Sequence, residues 1–116
     1  MKYACFDPRY RYSSKYTCFV EVVLTVALLS LELYLPSSQS LKDKRMVLRR
    51  LKDRLGAFNV AVAEVAHQEV WQRAGLSVVT VASSDTVAEQ TLSSVMHEIE
   101  RLEPDLVTQS QVEYLR

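Results

Sequence analysis

The chain has 116 residues, enough for one domain that buries its own core and too few for two ordinary ones. Its 14 basic side chains are balanced by 14 acidic ones, so no overall field draws it toward nucleic acid or a membrane surface. The two cysteines, Cys5 and Cys18, form neither a disulfide framework nor a metal spacing, and a reduced, cytoplasmic protein is the default reading.

Residues 1–23 differ from the rest of the chain: they hold four of the six tyrosines (Tyr3, Tyr10, Tyr12, Tyr16) and both cysteines, with no period. A secretion signal would account for basic residues before the apolar stretch Cys18 to Leu31. Glu21 interrupts that stretch, however, and no small-residue cleavage site comes after it. A membrane span needs about 20 apolar residues, and Glu21 and Glu32 bracket only ten. The segment reads as a disordered leader or a misassigned start, leaving a single domain over 24–116.

From Leu24 a regular pattern begins. Leu29, Leu31, Leu33 and Leu35 alternate with Ser30, Glu32 and Tyr34, the period of a strand with one buried face. Val26 and Leu28 make the other face partly apolar, which suits a central strand. Pro36 ends it, and Ser37, Ser38 and Ser40 offer helix caps. Leu41 to Leu55 has a helical period, with Leu41, Val47, Leu48, Leu51 and Leu55 on one arc. Lys42, Arg45, Arg49 and Lys52 form a stripe beside that arc, while Lys44 projects into its middle. Gly56 stops the helix, as a left-handed C′ residue would.

Phe58 to Ala66 reads as a second strand, with Val60 and Val62 on one face and Ala61, Ala63 and Val65 on the other. Leu76 to Ala82 reads as a third. A second helix begins after Ser84, Asp85 and Thr86, with Glu89 placed to complete a capping box on Thr86. It puts Ala88, Leu92, Val95, Ile99 and Leu102 on one face and closes at Pro104. Leu106 to Leu115 is a polar fourth strand, suited to an edge.

The order strand, helix, strand, strand, helix, strand predicts an α+β, ferredoxin-like βαββαβ fold. Its four-stranded antiparallel sheet would have the order 4-1-3-2, with two helices on one face.

Charge is segregated within this plan. Residues 41–55 carry seven bases against two acids, and residues 85–105 six acids against Arg101 alone. The stripe Lys42, Arg45, Arg49 and Lys52 could lie along phosphates, which gives sequence-independent, salt-sensitive affinity; a merely solvated helix face is the bland alternative. A lysine in an apolar arc must reach solvent or find an acid, and Glu64 is the plausible partner of Lys44.

The connection A-E-V-A-H-Q-E-V-W-Q-R-A-G, Ala63 to Gly75, is unlike a polar hairpin turn. It gathers Glu64, His67, the only tryptophan, Trp71, and Arg73. As a partner or ligand site these four would act with Lys44. As a structural corner, Trp71 would cap the end of the core while His67 and Arg73 bond backbone or Glu64. An acid and an imidazole could do general acid–base work, yet no nucleophile motif, phosphate loop or third metal ligand accompanies them, and His97 lies on the polar side of the second helix. No catalytic residue, cofactor or metal is expected. Base stacking on the sheet face is not expected either, because the third strand has no aromatic and the first offers only Tyr34. An apolar sheet face could instead be covered by a second copy or by the N-terminal segment.

The blocks L-x-L-x-L-P with S-L-K-D-K-R (Ser40 to Arg45), F-N-V-A-V-A-E-V, and H-Q-E-V-W-Q-R-A-G resemble the YlxP-like family of small bacterial proteins (domain of unknown function 503). The likeness covers about residues 24–116 and leaves 1–23 without a counterpart. It implies a ferredoxin-like fold with no assigned catalytic residues. It also implies genes that sit among those of translation initiation and ribosome maturation. The resulting expectation is a cytoplasmic, non-enzymatic protein that binds RNA or a ribosomal particle through the basic helix, with no sequence-specific DNA contact and no membrane. The alternative is a protein–protein interaction module, homodimeric through the sheet face or docking a partner through Trp71.

Overall fold

A computed structural model describes residues 24–115; the leader expected over 1–23 lies outside the described residues. The elements run in chain order as β1 (Thr25–Tyr34), α1 (Leu41–Leu55), β2 (Ala61–Ala66), β3 (Arg73–Ala82), α2 (Asp85–Leu102) and β4 (Val107–Leu115). The strands form one sheet in the order β2-β3-β1-β4, every neighbouring pair antiparallel. This is the ferredoxin-like arrangement and the strand order that the sequence predicts.

The alternation along β1 sets the core. Ala27, Leu29, Leu31 and Leu33 are buried on the helix-facing side, with Ala74, Leu76 and Val78 of β3 beside them. Leu48, Leu51 and Leu55 of α1 and Ala88, Leu92, Val95 and Ile99 of α2 close over them. Leu41, Val47 and Leu102, expected on the apolar arcs, are half-buried at their margins. On the opposite side the sheet is open. Val26, Leu28, Ser30 and Glu32 of β1 are half-buried there, and Tyr34 is exposed.

Both helices begin on a serine. Ser40 caps α1, its Oγ accepting from the Asp43 backbone N–H, while the Asp43 carboxylate accepts in return from the Gln39 N–H. Ser84 caps α2 and accepts from the Val87 N–H. Thr86 therefore lies inside the helix, and the expected capping box on Thr86 and Glu89 is not the one used: the first of the three candidate caps ends the strand-like backbone.

Two further local expectations change. Gly56 ends α1 in right-handed geometry (φ −61°), its N–H donating to Lys52 O, so it does not use the left-handed freedom expected of it. Phe58 belongs to a turn rather than to β2, because its N–H donates to Leu55 O and its carbonyl accepts from Val60, which holds its ring against the core. β3 starts at Arg73, three residues before the expected Leu76. The long β1 offers partners that far along: Tyr34 faces Arg73, Leu33 faces Ala74 and Glu32 faces Gly75.

Candidate functional site

The corner between β2 and β3 is organised by Lys44. Its side chain is only 1% exposed, and its Nζ lies 2.9 Å from Glu64 Oε2, the acid that the sequence proposes for it. The ammonium donates to the carbonyls of His67 (2.8 Å), Arg73 (3.3 Å) and Gln68 (3.4 Å). With three N–H groups directed at carbonyls, the Glu64 contact is an ion pair rather than an aligned hydrogen bond, and Glu64 Oε2 is buried without a hydrogen-bond donor. A cation buried this deeply needs such company, because an unpaired charge there would cost several kcal/mol. Lys44 thus pins the first turn of α1 to both ends of the β2–β3 connection.

That connection turns sharply. His67 has φ 60°, a left-handed conformation that histidine tolerates better than most side chains, and the Val70 N–H donates to His67 O. On the other side Gln72 ties the connection to the chain entering α1. Its carbonyl accepts from the Leu35 N–H at 2.8 Å, and its Nε2 donates to Pro36 O and Ser38 O. Gly75 lets the strands close behind the corner. A Cβ there would stand 2.7 Å from the Ala66 Cβ, where β2 shifts register between Glu64 and Ala66.

His67 and Arg73 do not pair with Glu64, as the structural reading of the corner proposes. Both meet Glu32 from the open face of β1: His67 Nε2 lies 2.5 Å and Arg73 Nη2 2.8 Å from the same Oε1. The strand register places Glu32 opposite Gly75, so no side chain stands between it and the two bases. Glu32 is the residue of this site that sequence reasoning missed. Its signal was a carboxylate on the outward side of a central strand.

Trp71 does not cap the core. It is 52% exposed, and Val70 beside it is exposed as well. Glu69 is an exposed acid next to them.

The basic stripe points outward. Lys42, Arg45, Arg49 and Lys52 are all exposed, while Leu48, Leu51 and Leu55 face the core. At about 100° per residue the four cations occupy an arc of roughly 80°. Arg50, about a quarter-turn to the other side, pairs with Glu103 at the end of α2. The stripe therefore runs along the flank of α1 that faces away from α2. None of the four forms an ion pair among the described residues, although Asp53 stands one turn after Arg49. On α2 one acid is paired within the helix: the Arg101 guanidinium, hydrogen-bonded to Glu98, holds that carboxyl below the usual carboxylate range.

Among the described residues, no group of three His, Cys, Asp or Glu side chains could hold a metal ion, and no helix is long and apolar enough to cross a membrane.

The chain is 40% identical over 58 residues to the "Uncharacterized protein YlxP" of Bacillus subtilis (strain 168), a match spanning 49% of this chain and 63% of that protein. A C-terminal segment of the alpha subunit of aIF2 from Pyrococcus abyssi aligns over 84% of this chain and 53% of its own, at 21% identity and a TM-score of 0.44. Residues 26–112 match the model of the family described as "Protein of unknown function (DUF503)". That match takes in β1, both helices, the corner and most of β4, and the chain belongs to this family.

Proposed function

We propose that this is a small, non-enzymatic, cytoplasmic protein that binds RNA or a ribosomal particle through the outer flank of α1. The observation that carries the proposal is the row Lys42, Arg45, Arg49 and Lys52, exposed on one side of a helix and without ion-pair partners among the described residues. Cations left unpaired and aligned are free to replace the counterions of a phosphate backbone, which supplies affinity without sequence preference. The opposite flank is spent on the Arg50–Glu103 contact with α2, so the row is the side of α1 left to a polyanion. Four phosphate contacts correspond to a log–log salt slope of roughly 3. Filter binding of RNA at several salt concentrations tests the proposal. Salt-sensitive affinity that falls in an Arg45→Ala/Arg49→Ala variant supports it, and no affinity at low salt ends it.

A protein–protein module is the second reading, favoured by the apolar end of the open sheet face. There Val81, Val26 and Leu115 lie side by side across β3, β1 and β4, with Val81 and Leu115 exposed. A molecular mass that doubles with concentration, and returns to the monomer in a Val81→Lys variant, would support a homodimer through this face.

A further inference from the structure

We infer that the RNA recognised by the α1 flank is single-stranded, with unpaired bases stacking on Trp71 while the backbone follows Lys42 and Arg45 onto the helix. This rests on the RNA reading above and narrows it to a substrate class.

The corner holds its tryptophan out on a braced loop. Lys44 fixes the carbonyls of His67 and Gln68 before Trp71, and Gln72 after it bonds Leu35, Pro36 and Ser38. The chain on either side is thus tied down while the indole is half exposed, and its N–H has no partner among the described residues. The backbone on either side of the ring is therefore fixed before anything binds, so the ordering cost is confined to the side chain when a planar group settles on it. The same ties place the corner at the end of the molecule where α1 begins, and Lys42 and Arg45 lie in the opening turns of that helix.

A second aromatic stands at this corner. Tyr34 is exposed at the end of β1 and pairs in register with Arg73, two residues after Trp71. Trp71 thus adds a stacking ring at the end of the molecule where the cationic row begins, while Tyr34 and the half-exposed Arg73 guanidinium stand round the same end on the open face of the sheet. This combination of stacking platforms and backbone-tracking charge suits single-stranded nucleic acid. A duplex hides its base faces and could use only the row. Elsewhere the open face lacks stacking rings, since β3 presents Ser77, Val79 and Val81 there. Glu69 and Asp43 are the adverse charges nearby, because Glu64 faces Lys44 and Glu32 faces His67 and Arg73.

Trp71 is the only tryptophan in the chain, so its emission reports on the corner alone. The experiment titrates the full chain at low salt with a short oligoadenylate and with the same strand in duplex with oligouridylate. Emission and filter binding are both read. Quenching by the single strand is expected, with the midpoint seen by filter binding. Trp71→Ala should weaken single-strand binding roughly 5- to 150-fold, Trp71→Phe should restore most of it, and duplex affinity should stay unchanged. Equal affinity for the two forms, unaltered by Trp71→Ala but lost in Arg45→Ala/Arg49→Ala, would overturn the stacking inference and leave the basic flank standing. An equal loss of both affinities in Trp71→Ala would also overturn it. Binding of neither form by the native chain would overturn both.

Discussion

Lys44 and Glu64 form a 2.9 Å ion pair in which the lysine is buried and the glutamate is 19% exposed, joining the first turn of α1 to the inner face of β2. The lysine also serves three carbonyls, so its removal would strand a carboxylate and open the corner at once. Lys44→Met should lower unfolding free energy by about 3 kcal/mol, the low end for breaking a buried pair because Glu64 keeps some water. Urea unfolding measures this. Adding Glu64→Gln to Lys44→Met should recover part of the loss, the non-additivity expected of directly coupled residues.

The Glu32 cluster should behave differently. Arg73 is half exposed, and exposed pairs contribute little. Glu32→Gln should cost less than about 1 kcal/mol in the same urea experiment. A cost equal to that of Lys44→Met would mean that Glu32 organises the corner as much as Lys44 does.

Gly75 is a packing requirement rather than a turn. Gly75→Ala would drive a methyl against Ala66 and should destabilise the protein by about 1–3 kcal/mol, as overpacking does. Ala66→Gly combined with it should return most of that stability, a reversal visible as recovery of the thermal midpoint.

How much of this was legible depended on the range of the interaction. Periodicity identified the buried faces of β1, α1 and α2 because each repeats within its own element. The Lys44–Glu64 pair was also legible, since a lysine in an apolar arc demands an acid and Glu64 lies on the inner face of β2. Glu32 was not, because its meeting with His67 and Arg73 depends on the β1–β3 register, which joins segments about forty residues apart. The start of β3 was hidden for the same reason: A-G after Arg73 looks like loop until β1 is seen to extend alongside it. Trp71 misled toward the core because a large ring in an apolar context is usually buried. Here the ties of Lys44 and Gln72 hold the chain so that the ring stays outside.

Ser40 offers a local check on the helix that carries the cationic row. Ser40→Ala should remove the cap from the Asp43 N–H and cost about 1 kcal/mol, with far-ultraviolet circular dichroism unchanged at low temperature.

Arg45 and Arg49 make no contact that the fold needs, so Arg45→Ala/Arg49→Ala should change stability by no more than about 0.5 kcal/mol. Loss of RNA affinity in this variant would then report on binding alone. Glu69→Gln should act in the opposite direction, raising affinity at low salt by removing an exposed negative charge beside Trp71.

The dependence of RNA affinity on salt, compared between the native chain and Arg45→Ala/Arg49→Ala, tests the central claim most directly. If the α1 flank lies on phosphates, the native log–log slope should be roughly 3 and should fall by about half when two of the four contacts are removed. A native slope near zero, or one that the double substitution leaves unchanged, would contradict an RNA-binding role for this helix.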